Sequence, residues 1–509
     1  MAKKRRVVEV NLQVLDGIVD AARTRTLSEE EGVTLKTALH DMAQGLMPSL
    51  KSEKFNKLLE RHRPQPPKEE ADKPKAPGHG RNGAAAFTGA TRVPVPHATL
   101  QPGCPCQHCP KGKVYPARNG PAPLIRVTGH APFQATIYEL EKLRCNLCGE
   151  IYEATAPDGV GPDKHDETVA SMIGILKYGK GVPFNRIEGL QKQVGVPLPA
   201  STQWDLVEEA AELLKPVYQE LVQTAAQADL EYSDDTRARI IEVHREPDEE
   251  RTGVFTTAIV AQLDRDRKIA LFLSGKQHAG ENMADLLAQR SAHLGPVMLM
   301  CDALNHNVPK VSEDVEMLVA NCLAHGRRQF VDVLDAFPDQ CLYVLEQIGK
   351  VYRFDEQARD QNLDPRQRLV YHQANSKPVM SDLYKWMQDE LDGKRVEPNS
   401  RLGKAMKYLI NHWKELTLFL RHPGAPLDNN VCERAIKKAV LHRKNALFYR
   451  SLDGAYVGDL FMSLIHTCEL NEVKPFDFLN ALQRNAVAVR AAPSKWMPWN
   501  YESTAATAT

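Results

Sequence analysis

Pro296-Val-Met-Leu-Met-Cys301 is an unbroken apolar run that stops at a carboxylate, Asp302. A strand without polar alternation has both faces covered, which suits the interior of a parallel sheet with helices on each side. The neighbouring sequence supplies the rest of such a sheet. Ala238-Arg-Ile-Ile-Glu-Val243 reads as a strand behind Tyr232-Ser-Asp-Asp-Thr236, and residues 252–263 and 268–273 are two β-rich apolar runs joined by Asp264-Arg-Asp-Arg267, a hairpin. A helix is expected over 281–290 and a further short strand over 317–322. Strand, hairpin, helix and strand predict a mixed α/β sheet whose outer strands bear Asp234 and Asp302 at neighbouring positions.

Helical patterns flank this block. Residues 7–62 read as two amphipathic helices without a core of their own, as expected of a self-association or DNA-binding region. Residues 63–100 are rich in Pro, Gly, Lys and Arg and poor in large apolar side chains, the composition of a flexible basic linker. Short helices over 166–225, broken at Gly179-Lys-Gly-Val-Pro183 and Gly195-Val-Pro197, fit a helix-turn-helix-like unit or compact packing without DNA contact. From Phe330 to about 420 the spacing is helical with no strand candidate, interrupted near Asn362-Leu-Asp-Pro365 and Pro398-Asn-Ser400. Two helices follow residue 455, and the tail 501–509 is expected to be disordered. At 509 residues and 42% apolar content, the chain can hold three or four domains. With neither an eighteen-residue apolar run nor a secretory h-region, it is expected in the cytosol, without a membrane partner.

Cys106-Gln-His-Cys109 and Cys145-Asn-Leu-Cys148 are two CxxC pairs separated by thirty-five residues. Four thiolates on two tight turns can present a closed tetrahedron to one structural Zn2+ ion. The strand-like segments 123–128 and 134–138 between them would make a zinc ribbon, with Cys104 and His108 as bystanders.

Asp428-Asn-Asn-Val-Cys-Glu433 opens a helix that is otherwise basic. Asn430 and Glu433 fit a capping box and Lys437 is an i,i+4 partner for Glu433, so an ordinary solvated helix face accounts for the pattern locally. Local charge points elsewhere. Residues 401–450 carry 11 Lys/Arg against 3 acids in a chain with 65 of each sign, a patch suited to a polyanion. Asp234, Asp302 and Glu433 could reach one edge of the sheet, and acids clustered there repel unless cations join them; two Mg2+ ions are the usual partners for phosphate chemistry.

Leu427-Asp-Asn-Asn-Val-Cys-Glu-Arg-Ala-Ile-Lys437, followed by Arg443-Lys-Asn-Ala-Leu-Phe448 and Ser451, resembles the most specific block of the insertion sequence 66 transposases, and its glutamate falls on Glu433. Asn321-Cys-Leu-Ala-His-Gly-Arg-Arg-Gln-Phe330 is similar to a family block with a Cys-x-x-His pair, and the paired CxxC segment to its zinc-binding domain. The resemblance implies a multidomain α+β protein with a ribonuclease-H-like core. It distributes the chain as N-terminal helices (1–62), basic linker (63–100), zinc ribbon (101–156), helix-turn-helix-like domain (165–225), first part of the core (226–325), helical insertion (326–424), core helix with the third acid (425–450) and C-terminal helical segment with tail (451–509). It further implies Mg2+-dependent cleavage at the ends of a mobile element and strand transfer into target DNA in the bacterial cytosol or nucleoid. Asp234, Asp302 and Glu433 would hold two metals, while Lys437, Lys438, Arg443 and Lys444 would grip phosphates. A homo-oligomeric synaptic complex and accessory proteins belong to the same expectation. Cys322 and His325 would hold a metal or simply pack and hydrogen-bond at the entry to the insertion.

Two positions depart from the family pattern. Asp-Asp-Thr236 stands where the family has Asp-Glu-Thr, which assigns Asp234 and leaves Asp235 as runner-up, and Asp302 is followed by Ala303-Leu304-Asn305 instead of Gly and an aromatic residue. A non-catalytic zinc-containing DNA binder derived from a transposase, and a two-metal nuclease that cleaves without joining, are the alternatives.

Overall fold

The computed structural model of the chain describes residues 101–105, 112–115, 132–144, 151–158, 161, 163–243, 253–312 and 315–508. The expectations for 1–62 and 63–100, and the four cysteines of the CxxC pairs, lie outside the described residues. Two compact units emerge. Of the described residues, those before Phe133 belong to one and those from Phe133 onward to the other. In the smaller unit, an antiparallel bridge between Pro105 and Lys113 brackets the first CxxC segment.

In the larger unit, β1 (Lys142–Arg144) and β2 (Ile151–Glu153) pair antiparallel around the second CxxC segment, with Leu143 opposite Tyr152. The expected strand at 134–138 does not form. That stretch is extended with mostly exposed side chains, and the ladder lies closer to the cysteines.

Helices α1 (Glu167–Gly174, continued by one π-helical turn to Gly179), α2 (Phe184–Gln193) and α3 (Ala200–Ala225) precede the main sheet. Val207, Leu214, Val217 and Leu221 of α3 are fully buried in the same core as the sheet, so these helices pack compactly against it.

Five strands form the main sheet: β3 (Leu230–Arg237), β4 (Phe255–Gln262), β5 (Lys268–Gly275), β6 (Val297–Cys301) and β7 (Met317–Asn321), in the order β5-β4-β3-β6-β7. The first three are an antiparallel meander, whereas β6 and β7 run parallel to β3 and to each other. Every residue of β6 is buried, as its unbroken apolar sequence requires. The strand expected at 238–243 starts earlier, and only Ile240 makes a bridge, to Tyr449. Asp234 therefore sits within β3 and not ahead of it. All of 230–237 pairs with β4, and 230–232 pairs with β6 as well, which outweighs the weaker β propensity of its acids.

Helix α4 (Ala279–Leu287) lies between β5 and β6, and after the sheet come α5 (Leu323–Val333), α6 (Pro338–Asp360), α7 (Pro365–Asp392), α8 (Arg401–Asn411), α9 (Asn430–Ala446), α10 (Leu452–Leu470) and α11 (Pro475–Arg484). Residues 501–508 are helical, with Tyr501 buried against Phe478, so the expectation of a disordered tail is corrected: one aromatic anchor ties it down.

The edge strand β5 is covered by α10 through a matched pair of repeats. Lys268, Ala270, Phe272 and Ser274 donate their N–H groups to the side chains of Asn471 (3.2 Å), Thr467 (3.0 Å), Ser463 (2.9 Å) and Asp459 (2.6 Å). Alternate strand residues advance ~6.8 Å and every fourth helix residue ~6 Å, so a polar residue every four positions tracks an edge strand. The outward N–H row that would invite another strand is thereby satisfied within the chain.

Candidate active site

Asp234 and Asp302 leave the same end of the β3-β6 ladder. Tyr232 is the partner of Met300 in the parallel β3-β6 ladder, and two residues further on each chain lie Asp234 and Asp302. Alternation separates Asp234 from Asp235. The Asp235 carboxylate accepts from His278 Nδ1 (3.2 Å) and the Ala279 N–H (3.4 Å) at the start of α4, on the face where Asn282 donates to Thr257 (2.8 Å). Asp234 points to the opposite face, where α9 lies.

The loop before α9 fixes that helix. Leu323 donates its N–H to Leu427 O (3.0 Å), the Asn429 N–H reaches Cys322 Sγ (3.2 Å), and Asn429 Nδ2 donates to Ser233 O (2.8 Å). Cys432 Sγ donates to Ala258 O (3.1 Å), and Ala258 is the β4 partner of Asp234. The Asp428-Asn-Asn430 cluster thus clamps the helix onto β3 and α5, and Glu433 follows one residue after the Cys432 anchor.

No capping box forms: Asn429 is the N-cap residue, without a side-chain cap. Glu433 does not pair with Lys437 either. It faces His325 (3.8 Å) and Arg328 (3.7 Å) of α5, because the clamp turns it inward while Lys437 stays exposed.

Asp234 feels the other two acids, although among the described residues the three carboxylates do not all lie within 4.8 Å of one another. Burial, then the charge of Asp302, and further Glu433 and Asp235 raise the Asp234 carboxyl from its ordinary 3.8 to about 7, despite the Asp235 N–H donated to it (2.9 Å). Asn307, itself buried, donates to Asp302. Asp302 also borders a cavity of about 230 Å3 lined by His325, Arg328, Gln329 and Tyr408. The loop shaping it packs tightly against α4: a Cβ on Gly280 would stand 2.5 Å from His306 O and 2.9 Å from Val308 O.

Hard, anionic oxygen donors drawn toward one partly buried surface fit a divalent cation of the Mg2+ class. Such an ion would stabilise the ionised form of Asp234.

The cations expected to meet DNA divide into two groups. Lys437 and Lys444 are exposed, whereas Lys438 pairs with Glu469 (2.8 Å) and Arg443 donates to Thr236 Oγ1 (3.1 Å) and Arg237 O. Arg328 was not singled out from sequence. Its only signal was position, six residues after Cys322 and three after His325, on one side of α5.

Residues 165–456 match the family described as "Transposase IS66 family". Similar chains include two uncharacterized proteins of Sinorhizobium fredii. One, y4jD, is 27% identical over 66% of this chain and 66% of its own length. The other, y4hP, is 25% identical over 72% of this chain and 68% of its own. Among the described residues no helix is long and apolar enough to cross a membrane. The matched segment runs from the helices before the sheet to the helix after Glu433, covers more than half of the protein and contains all three acids, and the chain belongs to the IS66 family of transposases.

Proposed function

We propose that the chain is a DNA transposase that cleaves the ends of a mobile element and joins them to target DNA, using Asp234, Asp302 and Glu433 to hold two Mg2+ ions. The observation that carries this reading is that Asp234 of β3 is half-buried within electrostatic reach of Asp302 at the end of β6 and Glu433 of α9. The strand order, with a three-strand meander continued by two parallel strands, supports a ribonuclease-H-like core. When bound, the cations would supply a nucleophilic oxygen at neutral pH and charge compensation for the leaving oxygen.

The chain's own residues do the positioning. Asn307 orients Asp302, while His325 and Arg328 hold Glu433 facing the two aspartates' side of the sheet. Lys437 and Lys444 present charge along α9 for the phosphate backbone, and Lys438 and Arg443 join them on leaving Glu469 and Thr236. Zinc at Cys106, Cys109, Cys145 and Cys148, self-association through the N-terminal helices, binding of terminal repeats and dependence on accessory proteins are carried as proposals from the sequence.

Incubation of the full chain with Mg2+, a labelled DNA end from the region flanking its gene and a target plasmid tests the reading. Joined product is expected, and Asp302→Ala should retain a gel shift but lose strand breakage. Breakage without joining would make the protein a nuclease, and a shift without breakage a DNA binder.

A further inference from the structure

A thiol, an imidazole and a carboxylate meet at the junction of α5 and α9. The ligand atoms of Cys322, His325 and Glu433 all lie within 4.8 Å of one another. Two of those atoms, His325 Nδ1 and Glu433 Oε1, are buried without a hydrogen-bond partner. Their separation, 3.8 Å, is too long for a hydrogen bond. It is close to the ~3.3–3.6 Å between neighbouring donors on one tetrahedral ion with bonds of about 2.0–2.3 Å.

The third member lies beside them. Cys322, the N-cap residue of α5, is fully buried and its sulfur accepts the Asn429 N–H (3.2 Å), so it would join the ion as a thiolate whose proton the metal displaces. Cys322 and His325 are three residues apart at the start of a helix, so both face α9 without backbone adjustment.

We propose that Cys322, His325 and Glu433 form a site for a borderline-soft divalent cation of the Zn2+ class, adjoining the catalytic carboxylates and sharing Glu433 with them. The sharing rests on the role given to Glu433 above; the metal binding itself does not. Sulfur and nitrogen donors select against Mg2+, so this site and the all-oxygen site that shares Glu433 with it distinguish their cations by softness. Because one carboxylate serves both, occupancy of the Cys322 site is linked to cation affinity at Asp234 and Asp302.

Zinc counting on the full chain tests this. Wild type, Cys322→Ser and His325→Gln are dialysed with Zn2+ against a weak competing chelator. The paired CxxC cysteines are unchanged in all three proteins, so zinc held there cancels. Wild type should hold one more zinc per chain than either variant, with affinity at the differing site reduced by at least ~100-fold, since even loss of an outer partner costs about 10–100-fold. Co2+ substitution should show a thiolate-to-metal absorption component that Cys322→Ser lacks. Cys322→Ser keeps an acceptor for Asn429; if it nevertheless fails to fold, His325→Gln decides. Equal zinc counts in wild type and the folded variants overturn the proposal. Asp302→Asn separates the two readings: it should lose strand breakage and keep the full zinc count.

Discussion

Asp234→Asn should make the metal-free protein more stable, by an amount set by pH. In the folded chain the Asp234 carboxyl is raised from 3.8 to about 7, first by burial and then by Asp302. At ~1.4 kcal/mol per pH unit this corresponds to a penalty of about 4 kcal/mol once the group is ionised in both states. The sign follows from proton binding. Below pH 3.8 both states are protonated and nothing is lost. Between 3.8 and about 7 the folded state holds a proton that the unfolded state has released, so stability falls as pH rises; above about 7 the full penalty applies. Asparagine cannot ionise and escapes it. Urea unfolding in chelator at a series of pH values should show Asp234→Asn ahead of wild type by up to about 4 kcal/mol at pH 8, with the gap closing near pH 4. Excess Mg2+ should narrow the gap at pH 8 by stabilising wild type, by ~2.7 kcal/mol at a hundredfold excess over Kd. A gap that is absent, or indifferent to pH, would refute the claim that Asp234 is held buried beside like charge.

Other perturbations address separate parts of the molecule. Ser463→Ala and Thr467→Val each strip a partner from a buried N–H of β5 and should cost ~1–3 kcal/mol in urea unfolding, whereas exposed Val487→Ala should cost nothing measurable. Gly280→Ala places a methyl group against the His306 and Val308 carbonyls and should cost about 1–3 kcal/mol in the same assay. Arg328→Ala removes an ion-pair partner of Glu433 and should lower Mg2+-dependent strand breakage about 10-fold or more while leaving the gel shift intact.

What the sequence disclosed about the fold was the part written in single-strand patterns. The apolar run ending at Asp302 required a buried strand, and β6 is buried throughout. The hairpin read around Asp264-Arg-Asp-Arg267 is β4 and β5. Strand β3 was displaced because Glu231, Ser233, Asp234 and Asp235 look unlike a core strand; their position is decided by ladder partners remote in sequence. Tertiary partners also explain what was missed around Glu433. A capping box and an i,i+4 pair are the best that local chemistry offers, and both give way to Asn429 binding across to Ser233 and Cys322, contacts spanning 196 and 107 residues. The stripe Asp459, Ser463, Thr467, Asn471 went unread in the sequence: it is a four-residue polar repeat running along an apolar helix to its C-cap. Its purpose emerged only with β5 as an edge strand.

The central claim is that Asp234, Asp302 and Glu433 share one divalent-cation site, and Fe2+-directed hydroxyl-radical cleavage of the backbone tests it most directly. Iron bound in place of Mg2+ should cut the chain near residues 234, 302 and 433 together, with all three cuts suppressed by excess Mg2+ and lost together in Asp302→Asn. Cuts near 234 and 302 that persist while 433 is untouched would contradict the account.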